Sequence, residues 1–230
     1  MSDVHIWYLR TCWKSLLESS ALLRSADVRV YMNSPKVEER ADALHLLNNT
    51  FMNQNITVHV RSSWGTGKTQ YYGQHARDVK QREAMESLTY ATILKWFTGY
   101  DWVIRINPDV MIRDDTFLVN TIANDTNASA ILINCDWSKN QTRAHTDFFA
   151  INPKALDPLA FLAPSTSNAE ASFTNDIRPI LESKGHRWIR DAFPTYRFCQ
   201  AGWGNDKSPI IHKHFDISTS VCPLSFGKES

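Results

Sequence analysis

YDWVIRINPDVMIRDD, Tyr100–Asp115, is the stretch on which the reading of this chain turns. Trp102-Val103-Ile104-Arg105-Ile106 reads as a buried strand, Asn107-Pro108-Asp109 as a short polar turn, and Val110-Met111 as an apolar pair leading on to Asp114 and Asp115. Pro108 has a restricted φ and keeps Asn107 extended, which turns side chains out of the strand end. Open α/β sheets bind ligands and metals at the carboxyl ends of their strands. Asp109 is therefore a candidate metal ligand, with a diphosphate expected on the metal. The plainer reading, a carboxylate that closes a strand-to-loop turn, fits the spacing as well.

The chain has 230 residues, 43% hydrophobic and 21% charged, with a formal net charge of +1. That length carries a core without help from disulfides or metals. The near-neutral balance argues against a dedicated nucleic-acid or membrane-surface binder, so phosphate recognition has to be local. Cys12, Cys135, Cys199 and Cys222 show neither a C-x-x-C pair nor a zinc spacing, and read as reduced, mostly buried thiols of an intracellular protein. No cleavable signal and no apolar run near the ~20 residues of a spanning helix are seen, so a cytoplasmic protein with no membrane span is expected. N-x-S/T sequons at Asn48, Asn55, Asn124, Asn127 and Asn140 hint weakly at a secretory setting.

Working outward, His5–Leu9 is predicted as a first strand, followed by apolar residues at helical spacing (Trp13, Leu16, Leu17, Leu23). Val28–Tyr31 and Ile56–Val60 read as two further strands, with an amphipathic helix on Val37, Ala41, Leu44 and Leu47 between them. This β-α-β-α-β alternation predicts an α/β fold: a mainly parallel central sheet flanked by helices, Rossmann-like, in one domain spanning residues 1–230. A long helix over Gln74–Phe97 ends at Gly99. Asp115 is placed to cap a short helix through Ile122, and strands are predicted at Ala130–Ile133 and Asp147–Ile151. Another helix begins near Asn168 and stops at Gly185. The tail, from Arg187 to Phe215, is strand-like.

Gly65-Thr66-Gly67-Lys68-Thr69 resembles the end of a phosphate-binding loop, but Ser62 stands where the first glycine belongs, and Tyr71-Tyr72-Gly73 starts a helix poorly. A loop whose Lys68 approaches a phosphate fits better than a true phosphate-binding loop, and a plain surface loop fits better still. His212 and His214 are two apart on a predicted strand and so share a face, as a metal ligand and its neighbour or as two ordinary histidines. Ser167-Asn168-Ala169-Glu170 fits a capping box, and Glu170 is also a candidate general base. Asp147 opens a very apolar strand and must stay at its solvent or ligand end, because burial without a partner is costly.

YDWVIRINPDVMIRDD together with HTDFFAINPKAL (His145–Leu156) resembles the core of GT-A-fold glycosyltransferases, more narrowly the group with an R-x-x-P-D metal motif that includes enzymes of large algal viruses. The resemblance covers roughly Tyr71 to Gly185. It implies transfer of a hexosyl or deoxyhexosyl group from a nucleotide-sugar donor to a glycan acceptor, with Mn²⁺ or Mg²⁺ assisting departure of the nucleoside diphosphate. The family's D-x-D falls on Asn107-Pro108-Asp109, where Asn107 offers a carbonyl oxygen without charge, and His212 or His214 completes the metal set. Arg105, Lys68 and Lys213 are the implied diphosphate-binding cations, and Asp147 or Glu170 the implied base. The alternatives are a P-loop nucleotide hydrolase or kinase, and a non-catalytic carbohydrate-binding module.

Overall fold

The computed structural model describes residues 3–33, 37–52, 54–61, 74–138, 141–162, 169–185, 187–188, 209–212 and 222. In chain order the helices are α1 (Asp3–Thr11), α2 (Trp13–Ser19), α3 (Ala21–Ser25), α4 (Val37–Thr50), α5 (Gln74–Ile93), α6 (Thr116–Asn124), α7 (Ala169–Ser172) and α8 (Arg178–Glu182). The strands are β1 (Val28–Asn33), β2 (Ile56–Arg61), β3 (Val103–Ile106), β4 (Val110–Ile112), β5 (Ala130–Ser138), β6 (Gln141–Ile151), β7 (Arg187–Trp188) and β8 (Ile210–His212). They fall into two compact units, each assembled from separate stretches of chain. Unit 1 comprises Met1–Ser63, Asn107–Asn124 and Asp191–Ser230; unit 2 comprises Trp64–Ile106 and Asp125–Arg190.

Unit 1 holds the parallel pair β1–β2 and the antiparallel pair β4–β8. The expected strand at His5–Leu9 is instead helical. A five-residue apolar run does not distinguish helix from strand, but Tyr8, Cys12 and Leu16 continue it at a spacing of four, and all three are wholly buried. Backbone bonds Cys12 N to Tyr8 O and Leu16 N to Cys12 O, 2.8 and 3.0 Å, carry the helical turn through the junction of α1 and α2. Cys12 and Cys222 form a disulfide, which corrects the reading of these two as reduced thiols.

Asp115 serves α6 differently from the expected cap. Its carbonyl accepts from Val119 N at 2.9 Å, while its carboxylate reaches α3, accepting from Ser20 Oγ at 2.6 Å and Leu22 N at 3.0 Å. The side-chain cap on α6 comes from Asp114, whose Oδ1 accepts from Thr116 N at 2.8 Å. The Thr116 hydroxyl, and after it this backbone bond, hold the Asp114 carboxyl below its ordinary value.

Unit 2 is built on a four-stranded sheet in the order β3-β6-β5-β7. β6 is antiparallel to β3 and β5, and β7 is parallel to β5. Helix α5, a single 3₁₀ turn at Pro158–Leu162 and a π-helical turn at Phe173–Ile177 supply the apolar cover. Phe149 of β6 packs 5.7 Å from Phe161 and 5.2 Å from Phe173, ring centre to ring centre. Aromatic groups of this size dominate core energetics.

The expectation of one mainly parallel central sheet is thereby corrected. The described strands form three separate sheets, and only β1–β2 and β5–β7 pair in parallel. The reason is local. Parallel neighbours need a crossover of a dozen or more residues, whereas β5 ends at Ser138 and β6 begins at Gln141, a hairpin separation that dictates antiparallel pairing. Gly185 closes α8 with φ +98°, but α5 already ends at Ile93, with Lys95 left-handed at φ +57°, so Gly99 (φ +88°) is not the stop expected for that helix.

Candidate functional site

In unit 1 the turn Asn107-Pro108-Asp109 is fixed from both sides. The Asn107 carbonyl accepts from Val110 N at 3.0 Å, and the Pro108 carbonyl accepts from Trp13 Nε1 at 2.7 Å. β4 then pairs with β8 in the register Val110–His212, Met111–Ile211 and Ile112–Ile210, with all six residues buried. This register brings His212 beside Asp109, which immediately precedes β4. His212 Nε2 lies 3.3 Å from Asp109 Oδ2, and His5 Nε2 of α1 lies 3.5 Å from Asp109 Oδ1. Asp109 and His212 are fully buried, and His5 is partly exposed.

These separations bear on two arrangements. Charge-assisted N–H···O⁻ bonds sit at about 2.7–2.9 Å. Donor atoms bound about 2.0–2.2 Å from a shared ion stand roughly 3.3–3.5 Å apart at tetrahedral angles. Each imidazole stands at the second spacing from one oxygen of the Asp109 carboxylate, and the His212 contact is also within hydrogen-bond reach. The buried Asp109 and His212, with the partly exposed His5 beside the same carboxylate, are donors suited to a divalent cation.

Of the expected metal set, the structure brings Asp109 and His212 together, uses the Asn107 carbonyl to close the turn, and leaves His214 outside the described residues. His5 was missed. Its assignment to a strand hid that His5, Leu9, Cys12 and Leu16 follow one another at helical spacing along α1 and α2.

In unit 2 a second polar group is made by an irregularity in β6. Between Leu132–Phe149 and Asn134–Ala144 the pairing advances two residues on β5 but five on β6, leaving three more on β6. Bulges bend a strand and re-aim its side chains. The displaced segment contains His145, Thr146 and Asp147, all buried.

Asp147 Oδ1 is 3.5 Å from Arg105 Nη1 on β3, an ion pair that balances its charge. Asp147 N donates to His145 Nδ1 at 3.2 Å. The same Nδ1 lies 3.5 Å from Asp147 Oδ2. Thr146 Oγ1 donates to Glu170 Oε1 at 3.3 Å.

Glu170, in the first turn of α7, has its carboxyl raised above the ordinary value of 4.5. Burial is the main cause, and the neighbouring Asp147 charge adds to it. The Glu170 backbone N–H, the Thr146 hydroxyl and Arg105 oppose it. Asp147, Glu170 and Arg105 are thus gathered in one unit. Ser167, Lys68, Lys213 and the Gly65–Thr69 loop lie outside the described residues.

No protein-family model matches the chain, and no curated protein matches it either. The resemblance to GT-A-fold glycosyltransferases is not upheld. That fold lays its nucleotide-sugar and metal along one continuous, largely parallel sheet, and here the described strands form three sheets with mostly antiparallel pairing. Around Asp109 the neighbours are imidazoles, in place of the paired acids of a D-x-D motif. The expected activity, hexosyl or deoxyhexosyl transfer from a nucleotide-sugar to a glycan, is withdrawn with the fold. Among the described residues, no helix is long and apolar enough to cross a membrane.

Proposed function

We propose that unit 1 binds a divalent transition-metal ion through Asp109, His212 and His5. The observation that carries this reading is the buried Asp109 carboxylate set between two imidazole nitrogens at 3.3 and 3.5 Å. The donor set selects among ions. Mg²⁺ prefers oxygen ligands and near-ideal octahedral geometry, whereas imidazole with carboxylate suits Zn²⁺, Mn²⁺ or Fe²⁺. Of the two ions first expected, Mn²⁺ is favoured over Mg²⁺, and Zn²⁺ joins it as a candidate. A bound ion would supply Lewis acidity at this position.

The test is to strip the full chain with a chelator and follow thermal unfolding as Mn²⁺, Zn²⁺ and Mg²⁺ are added. A ligand that binds only the folded state raises the melting temperature by mass action. A rise with Zn²⁺ or Mn²⁺, absent in Asp109→Asn and in His212→Gln, supports the site. Equal rises in wild type and both variants, or none with any ion, remove it.

Unit 2 supports a second reading, a proton-transfer site at Asp147 and Glu170. Two carboxyls whose surroundings push their protonation apart form the pattern of acid–base catalysis. Here one faces Arg105 and the other has its carboxyl raised above the ordinary value by burial. Direct titration of the Glu170 carboxyl by NMR tests it. A midpoint at or below the ordinary glutamate value would remove this assignment.

A further inference from the structure

Unit 1 contains two kinds of feature that the metal site does not use. The first is the Cys12–Cys222 disulfide, which joins the α1–α2 junction to a residue 210 positions away. Both cysteines are buried. Persistent disulfides of this kind belong to oxidising compartments, because cytosolic thiol systems keep such pairs reduced.

The second is a set of exposed glycosylation sequons. Asn48 sits on α4, exposed and turned away from the buried Ala43 and Leu47. Asn55 directly precedes β2 and turns its side chain outward, while its carbonyl accepts from Val28 N. Asn124 is the last residue of α6. All three side chains are exposed, and Thr50, Thr57 and Thr126 stand at the required third positions. In unit 2, Asn127 is exposed too, but the third residue of its sequon, Ser129, is buried and donates to the Lys184 carbonyl.

We infer that this chain matures in an oxidising secretory compartment and carries N-linked glycans at Asn48, Asn55 and Asn124. The donor is an oligosaccharide linked to a polyprenyl diphosphate. The asparagine Nδ2 forms a bond to the anomeric carbon as the bond from that carbon to the diphosphate oxygen breaks. Nδ2 gives up one proton, and the lipid diphosphate leaves with the bonding pair.

The glycosylated amide keeps one N–H. At Asn55 this suffices for the bond it donates to Asp27 Oδ1 at 3.1 Å, so the folded surface around it is retained. Disulfide formation removes two protons and two electrons from Cys12 and Cys222. A disulfide-bearing oxidoreductase accepts them and becomes a dithiol.

The test uses the full chain isolated from the cells that make it, with free thiols alkylated at lysis and peptides read by mass spectrometry. The expected result is a linked Cys12–Cys222 peptide, with glycan on the Asn48, Asn55 and Asn124 peptides that peptide:N-glycosidase removes. Alkylated Cys12 and Cys222 with bare asparagines overturn the inference. A linked disulfide with all three asparagines bare overturns the glycan assignment. Translation of the full chain into microsomes, with each asparagine changed to Gln in turn, supplies the site-by-site check. A mobility step that survives the triple Gln variant also counts against these three positions.

Discussion

Asp109 Oδ2 and His212 Nε2 stand 3.3 Å apart, two buried groups separated by 103 residues of sequence and held side by side by the β4–β8 ladder. The ladder makes the pair rigid, since Val110 and His212 are directly opposed and the flanking Arg113 and Asp114 amides both donate to the Pro209 carbonyl. A preorganised donor pair loses little freedom when an ion arrives. Asp109→Asn should therefore weaken Zn²⁺ or Mn²⁺ binding by well over ~10-fold, since even outer partners of metal ligands are worth about 10–100-fold. Titration calorimetry on the chelator-treated chain measures it. Unchanged affinity in the variant would show that the carboxylate serves only its hydrogen bonds.

The Glu170 carboxyl gives a pH prediction with a definite sign. Its folded-state value is raised above 4.5, so between the unfolded and folded values the native state binds more protons than the unfolded state. Stability then falls as pH rises through that window, and the contribution is fully present only below the unfolded value. Glu170→Gln removes the titration and mimics the neutral form. The variant should match or trail wild type at acid pH and gain on it as pH rises above 4.5. Urea unfolding at a series of pH values reads the difference, and a difference independent of pH would contradict the raised carboxyl.

The sequence made some of this legible and withheld the rest for physical reasons. β1, α4 and β2 are visible because alternation and helical spacing are local signals that run for several residues at Val28–Tyr31, Val37–Leu47 and Ile56–Val60. His5 was misread because a short apolar run carries no period of its own. The displacement of His145–Asp147 depends on register against β5, a long-range pairing that no window of β6 contains. The same holds for Cys12 and Cys222, whose partnership follows from folding and not from spacing. The sheet failed for a related reason. Alternating helices and strands suggested crossovers, but the two longest strands turned out to be hairpin neighbours.

The disulfide has a measurable weight. It closes a loop of 210 residues, and the chain-entropy model assigns more stabilisation to longer loops. Replacing both Cys12 and Cys222 with Ser should cost about 2–5 kcal/mol of folding stability, the range for native disulfides. Because both residues are buried, part of the loss comes from polar hydroxyls in an apolar setting, and Cys→Ala separates the two effects. Urea midpoints with and without reductant give the answer. A reductant-insensitive midpoint in wild type would show that the bond contributes nothing.

Two glycines provide a matched pair that isolates close packing from backbone strain. Gly99 has φ +88° with nothing within 4 Å of an added Cβ, while Gly185 has φ +98° and its Cβ would meet the Asn127 carbonyl oxygen at 2.6 Å. Both positions ask an alanine to adopt a left-handed backbone, at roughly 1–2 kcal/mol each. Only Gly185 adds a clash with main chain, and main chain cannot swing aside as a side-chain tip can. Gly99→Ala should therefore lower stability by about 1 kcal/mol, and Gly185→Ala by more than twice that, with the excess representing displacement of the Asn127 segment from the end of α8. Thermal unfolding of the two variants beside wild type decides it. Equal losses would mean that the Asn127 carbonyl yields without cost, and that the approach of this loop to Gly185 is not a fixed feature of unit 2.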